Sequence, residues 1–287
     1  MTLRDATAAL AAALTALYPA HEAEAVATLV FQHLLHLEAL PFRMMAREAV
    51  APELLAQLPA LQARLLAHEP VQYVLGRAHF AGMELEVTPA TLIPRPETEE
   101  LVRLIEREQA GRPGRRVLDV GTGSGCLALA LARALPGAEV LAVDISAEAL
   151  AVARRNAQAW APAVAFQQVD ILQALPAGLV PGTLDVLVSN PPYVRESERT
   201  EMRQNVLAWE PATALFVPNN DPLLFYRRLA EIGPQLLDGD GVAYLEINEV
   251  LGAETAALFA AQGFAEVQVV GDMFGKPRMV RAARRSQ

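Results

Sequence analysis

Apolar residues recur at three- and four-residue spacing through LRDATAALAAALTALY, EAEAVATLVFQHLLHLE and PELLAQLPALQARLLAHE. That is the period of helices that bury one face. Pro19, Pro41, Pro52 and Pro70 punctuate these stretches, so residues 1–76 are predicted to form a small helical bundle. Over residues 79–93, HFAGMELEVTPATLI, the period shortens to two, which predicts a hairpin and assigns residues 77–93 to a linker. PRPETEELVRLIEREQA comes next, a helix entered through two prolines with acids in its first turn.

From Arg115 the pattern alternates. Short apolar runs (VLDV, EVLAVDI, AFQQVDI, LDVLVS, VAYLEI) are separated by helical stretches such as CLALALARAL and EALAVARRNAQAW. Alternation of this kind predicts an α/β domain over 94–287, with a Rossmann-like, mostly parallel sheet covered on both faces. The last two runs, VQVVGD and RMVRAA, have only a short loop between them. They are expected to pair antiparallel at one edge of a seven-stranded sheet.

The first of these strands leads into LDVGTGSGCLALA. Gly121, Gly123 and Gly125, with Thr122 and Ser124 between them, lie where a strand turns into a helix. Glycine there lets the backbone bend sharply and approach a ligand. Asp144 ends the next strand, 19 positions after Gly125, and a carboxylate at that place can accept from both hydroxyls of a ribose. The glycines fall as G-x-G-x-G, not the G-x-G-x-x-G of dinucleotide binders. Asp119, two residues before Gly121, would repel a pyrophosphate and suit a ligand's amino group. These features favour the cationic S-adenosylmethionine over a nicotinamide cofactor. Asp170 ends the third strand, where it could meet the adenine amine while Ile171 packs on the ring.

The fourth strand stops at Asn190, Pro191, Pro192 and Tyr193. Asn190 precedes a proline and is held extended. The prolines stiffen the loop and offer carbonyls without competing N–H donors. The Asn190 side-chain oxygen and the Pro191 carbonyl are two fixed acceptors, and Tyr193 adds a flat ring. Such a clamp suits a planar –NH2 conjugated to a π system, whose lone pair could be aimed at a sulfonium methyl. Positioning and preorganised acceptors can then carry much of the barrier reduction. All five histidines lie in the first third of the chain, so the reading uses no histidine base and no metal. His33 and His36, three apart, are taken as helix-face residues, and Cys126 as packing at a helix start.

Charge alters the picture in one respect. With 33 Asp+Glu against 24 Lys+Arg the chain carries −9, which does not favour phosphate-backbone binding. The basic end RMVRAARRSQ is one candidate patch and is read as a solvated tail. Asp5 and the lack of a cleavage site argue against a signal peptide, and no apolar run approaches the roughly 20 residues of a bilayer span. One cysteine excludes a disulfide framework and fits a reducing cytoplasm.

The whole chain resembles the release factor glutamine methyltransferases, the HemK/PrmC family. The likeness rests on the N-terminal helical domain, the hairpin, LIPRPETE at 92–99, DVGTGSG at 119–125, NPPY at 190–193 and WEPATAL at 209–215. The resemblance implies a class I S-adenosylmethionine-dependent methyltransferase fold. It implies transfer to the side-chain amide of the glutamine in a Gly-Gly-Gln motif of peptide chain release factors, with the N-terminal domain docking the protein substrate. On this basis Asp119, Gly121–Gly125, Asp144, Asp170, Ile171 and Asn190 would hold the cofactor, and Asn190, Pro191, Pro192 and Tyr193 the glutamine. A cytoplasmic monomer needing neither nucleic acid nor membrane is expected. FVPNNDPL after Leu215 lacks the glycines expected of many relatives, which leaves the role of residues 216–223 open. The alternatives are a glutamine methyltransferase of a large-subunit ribosomal protein, a nucleic-acid N6-adenine methyltransferase, and a non-catalytic module retaining the fold. RPETE argues against the first. Acidic balance and 6% aromatics argue against the second, and the intact glycine loop and NPPY argue against the third.

Overall fold

The computed structural model describes residues 1–284. They form two compact units, Met1–Arg77 with Arg203–Trp209, and Ala78–Met202 with the chain from Glu210 onward. In the first unit, helix α1 (Leu3–Leu14) opens with a capping box in which Thr2 and Asp5 satisfy each other's backbone N–H. Helix α2 (Ala20–Leu35) stops at His36, whose φ of 53° is left-handed. Helix α3 (Ala39–Met44) comes after it. The third periodic stretch is two helices, α4 (Pro52–Leu55) and α5 (Leu58–Leu66). Pro59 is the cause, because a proline fits only the first turn of a helix. Helix α6 (Val71–Leu75) completes this set, and Leu10, Leu14, Val30, Phe31 and Leu65 fill the core.

The second unit starts with the hairpin β1 (Arg77–Phe80) and β2 (Met83–Glu86), which turns through Ala81 and Gly82 at positive φ. Strand structure ends at Glu86, so residues 87–93 are irregular rather than part of the hairpin. Phe80, Met83 and Leu85 lie in one core with Leu101, Val102 and Val117. The hairpin thus packs as part of this unit, and not as a free linker. Helix α7 (Pro96–Gln109) leads to β3 (Arg116–Val120), α8 (Cys126–Ala134), β4 (Glu139–Asp144), α9 (Ala147–Trp160), β5 (Ala165–Gln168) and β6 (Leu184–Ser189). Strand β7 (Val194–Arg195) comes next, then α10 (Gln204–Leu207), α11 (Ala212–Leu215) and β8 (Phe216–Val217). The chain continues through α12 (Leu224–Leu236), β9 (Leu237–Glu246), α13 (Gly252–Ala261), β10 (Glu266–Gly271) and β11 (Pro277–Ala283).

Seven strands form one sheet in the order β10-β11-β9-β6-β3-β4-β5. β9, β6, β3, β4 and β5 are parallel, and β11 runs antiparallel to both β9 and β10. Val117, Val186, Val188 and Tyr244 face one core layer, while Leu118, Val120, Leu187 and Leu245 face the other. Strands buried on both sides need apolar residues at consecutive positions, which is why these runs do not alternate with polar ones.

Two further assignments made from the sequence change. The basic end is not a solvated tail up to Arg284, because Met279, Val280 and Ala282 are buried in β11. Arg281 pairs with Glu108 at 2.6 Å, Arg278 faces Asp272 and Glu249, and Arg284 donates to the carbonyls of Pro234 and Leu237. The positive charge is thereby answered inside the fold, and residues 285–287 of that stretch lie outside the described residues. Residues 203–209, placed by pattern in the second domain, group instead with the helical unit. Arg203 reaches Glu22 at 3.0 Å, and Trp209 Nε1 donates to the Ala67 carbonyl at 3.4 Å. Contacts spanning more than a hundred residues leave no mark on local periodicity. Among the described residues no helix is long and apolar enough to cross a membrane.

Candidate active site

The turn from β3 into α8 holds Gly121, Gly123 and Gly125 at φ of 74°, 55° and 85°. These left-handed values cost a side-chain-bearing residue about 1–2 kcal/mol each. At Gly125 space is short as well, since a Cβ would stand 3.3 Å from that of Ala153. The loop is closed from β4, where the Val143 carbonyl accepts the N–H groups of Gly121 and Thr122. Asp144 then accepts Gly123 N–H on one oxygen and Ser146 N–H on the other, both at 2.9 Å. Burial raises the Asp144 pKa, and those N–H donors oppose the rise. Asn156 on α9 donates to the carbonyls of Ser124 and Glu86 and accepts Glu86 N–H, pinning the loop to the hairpin.

At the carboxyl edge of the sheet this loop borders a cavity of about 350 Å³. Its wall includes Gly121 to Ser124, Asp144, Asp170 and Ile171, and across from them in sequence Asn190, Pro191 and Pro192. Three of the residues chosen from sequence, Asp119, Gly125 and Tyr193, are not in the wall. Asp170 lies two residues beyond β5, where its oxygens accept Leu172 N–H and Gln173 Nε2. Phe216 and Phe225, flanking the loop of unassigned role, do line the cavity. Phe216 belongs to β8, which pairs parallel with β7 directly after NPPY.

Asn190 donates from Nδ2 to Thr98 Oγ1 at 3.2 Å. Thr98 Oγ1 donates to Glu246 Oε2 at 2.6 Å, and Tyr193 donates its hydroxyl to Glu246 Oε1 at 3.0 Å. Thr98 and Glu246 are each 1% exposed. Tyr193 is half-buried, and its ring is anchored through this hydroxyl contact. Its hydroxyl needs a partner away from water and finds the Glu246 carboxylate at the end of β9, while Asn248 Nδ2 donates to the Tyr193 carbonyl. Burial pushes the Tyr193 hydroxyl well above its ordinary pKa, so it stays a donor. Burial also raises Glu246, against the pull of the Thr98 and Tyr193 hydrogen bonds and the Arg278 charge.

Asp119 sits behind the glycine loop, 0% exposed, with Thr122 Oγ1 donating to one oxygen at 2.7 Å. Burial pushes its carboxyl up to about 7. It does not line the cavity, and stands directly behind the loop that does. Cys126 opens α8 with its thiol pushed by burial, and then by the Asp119 charge, to about 12. A thiol of that kind stays protonated and is a poor nucleophile, although Cys126 is half-buried and lines the cavity rather than being packed out of it.

Arg95, between the two prolines that lead into α7, pairs with Glu210 at 2.5 Å. Glu210 is buried and also accepts Ile93 N–H. RPETE and WEPATAL are thus joined through one carboxylate. Arg95→Ala is expected to destabilise the protein by about 2 kcal/mol, since a buried carboxylate would keep only one neutral donor. Chemical denaturation of the two proteins side by side measures this. Glu99, read as a helix-dipole acid, accepts Ala81 N–H and so ties α7 to the hairpin turn.

Sequence reasoning missed Thr98, Glu246, Glu210, Asn156 and the wall stretch Ala90–Leu92. A signal existed for Glu246, a lone carboxylate in the apolar run VAYLEI. For Asn156, inside an ordinary amphipathic helix, there was none.

Residues 97–215 match the Methyltransferase small domain family, and residues 2–76 the PrmC N-terminal domain family. Over 97% of its length the chain is 44% identical to the release factor glutamine methyltransferase of Bacteroides thetaiotaomicron, covering 99% of that protein. It is 42% identical to the release factor glutamine methyltransferase of Flavobacterium psychrophilum, across 79% of this chain and 80% of that one. The solved structure of a methyltransferase from Pyrococcus furiosus matches with a TM-score of 0.52, over 78% of this chain and 98% of that one. At 22% identity that is a likeness of fold.

Proposed function

The chain belongs to the release factor glutamine methyltransferase family, and from that premise we propose that its glycine loop and NPPY segment form the centre for methylating a glutamine. The enzyme is an S-adenosylmethionine-dependent protein-glutamine N-methyltransferase that acts on peptide chain release factors. The observation that carries the site assignment is Asn190, which stands in the wall of the glycine-loop cavity with its amide nitrogen tied back to Thr98.

The residues present fit the cofactor. Carboxylates at Asp144 and Asp170 suit ribose hydroxyls and an adenine amine, and Ile171 offers an apolar surface to the ring. The backbone from Gly121 to Gly125 can approach a ligand because glycine carries it through positive φ. The cofactor supplies an electrophilic sulfonium methyl. Asn190 Oδ1 and the Pro191 carbonyl accept the two hydrogens of the substrate amide and fix its plane. Pro192 stiffens the loop that holds them. Desolvation and fixed acceptors make the amide nitrogen available without a prior base, and one of the gripped protons leaves afterwards. Tyr193 supports the clamp from behind through Glu246.

The reading extends to a helical unit that docks the protein substrate, and to a cytoplasmic monomer that works without nucleic acid or membrane. The acidic balance and the cytoplasmic setting of translation termination support it. The test is transfer of labelled methyl from S-adenosylmethionine to a purified release factor. A Gln→Ala variant of its Gly-Gly-Gln motif, a ribosomal protein and DNA run in parallel. Label on the native factor alone is expected; label on ribosomal protein or DNA instead would overturn the substrate.

A further inference from the structure

An amide side chain can present either end to a ligand, and only its surroundings decide which. For the clamp to work, Asn190 must turn its oxygen toward the substrate –NH2, because the reversed amide would set donor against donor. What in this fold selects the sense?

Asn190 has one side-chain partner among the described residues, Thr98 Oγ1, and its Oδ1 accepts from none of them. Thr98 is a hydroxyl with one hydrogen to give. At 2.6 Å from Glu246 Oε2 that hydrogen goes to the carboxylate. Both Glu246 oxygens act as acceptors here, one from Thr98 and the other from the Tyr193 hydroxyl. Thr98 therefore shows Asn190 nothing but lone pairs. Against lone pairs only an NH2 is favourable, so Nδ2 turns to Thr98 and Oδ1 is left for the cavity. Thr98 and Glu246 are each 1% exposed, which shields the bond between them from solvent.

We propose that Glu246 and Thr98 are positioning residues that set the polarity of Asn190, a one-way chain of hydrogen bonds holding its amide oxygen toward the substrate. The inference rests on the reading of NPPY as the glutamine clamp. It assigns a role to the threonine of RPETE that helix capping does not: its hydroxyl is required for its direction. A Ser would serve in its place and an isosteric Val would not. Glu246→Gln is a second probe. A neutral amide could donate to Thr98, whose hydrogen would then point at Asn190 and favour the reversed sense.

The experiment compares wild type, Thr98→Val, Thr98→Ser and Glu246→Gln as full chains. It measures kcat and KM for a release factor, and the dissociation constant of S-adenosylmethionine by calorimetry. For Thr98→Val, kcat is expected to fall about 30-fold or more, on the scale of losing one oriented donor–acceptor contact in a transition state. Cofactor affinity should stay within about twofold of wild type, with Thr98→Ser restoring most of kcat. Glu246→Gln should also lose kcat with cofactor binding kept. A Thr98→Val enzyme within about twofold of wild-type kcat would overturn the proposal. Equal impairment of Val and Ser would overturn it too, since packing rather than polarity would then be at stake. So would loss of cofactor binding in step with kcat. Failure of the clamp reading looks different: the wild type would leave the release factor unlabelled, or Asn190→Ala would turn over normally.

Discussion

Asn190→Ala is expected to lower kcat by about 10²–10³-fold while S-adenosylmethionine still binds within a few-fold of wild type. The size reflects the group removed. A clamp on an uncharged amide has no strong nucleophile or base to fall back on, so positioning and electrostatic complementarity carry the rate. In the proposed clamp Asn190 would contribute one of two acceptors, and the Pro191 carbonyl alone would leave the substrate amide free to rotate. Cofactor binding should survive because the carboxylates and glycine backbone that would hold it belong to other elements, β3, β4 and the segment after β5. Rapid-quench single-turnover kinetics with calorimetry on the same preparation would separate the two effects. Near-normal turnover would sink the clamp. A parallel collapse of cofactor affinity would show that Asn190 serves the cofactor instead.

That prediction could be framed from sequence, because NPPY sits where a strand must stop and proline geometry restricts both Asn190 and the loop beyond it. The sheet was legible for a similar reason. Strands buried on both faces are written as apolar runs, and a glycine triplet between strand and helix has few other uses. Less visible was everything that depends on a partner distant in sequence. Tyr193 reads as an open ring beside Asn190, yet its hydroxyl turns to Glu246, 53 positions away. The acids of RPETE read as dipole partners, although Thr98 and Arg95 within the motif carry its long-range contacts, to Glu246 and Glu210. The arginines of the last strand read as a solvated tail because each carboxylate or carbonyl that answers them comes from another element. Local period reports which face is buried. It does not report which buried polar group meets which.

Asp119→Asn is expected to stabilise the protein at pH 8 and to change little near pH 4. Burial is the main reason the Asp119 carboxyl stands at about 7, with the charge of Asp144 adding to it and the Thr122 hydrogen bond and an Ala128 N–H opposing. In the unfolded chain the group titrates near its ordinary 3.8. Between those values the folded protein holds a proton that the unfolded one has released, so stability falls as pH rises through the window. The cost is absent below about pH 4 and complete above about pH 7, where it reaches the order of 4 kcal/mol. Asparagine has the same shape and never ionises. Its oxygen can take the Thr122 hydroxyl, and its amide brings no charge into the buried site. The variant should therefore match the protonated acid and escape the penalty of the ionised one. Urea unfolding of both proteins at pH 4.5 and pH 8 measures it; an equal difference at the two pH values would refute the assignment. A carboxylate kept at this cost, just behind the glycine loop, lays negative potential under a site for a cation. The same substitution should then weaken binding of the sulfonium cofactor more than that of its neutral-sulfur product, so stability and affinity would move in opposite directions. If affinity for both held at the wild-type value, the charge of Asp119 would have no part in binding, and only its cost to the fold would remain.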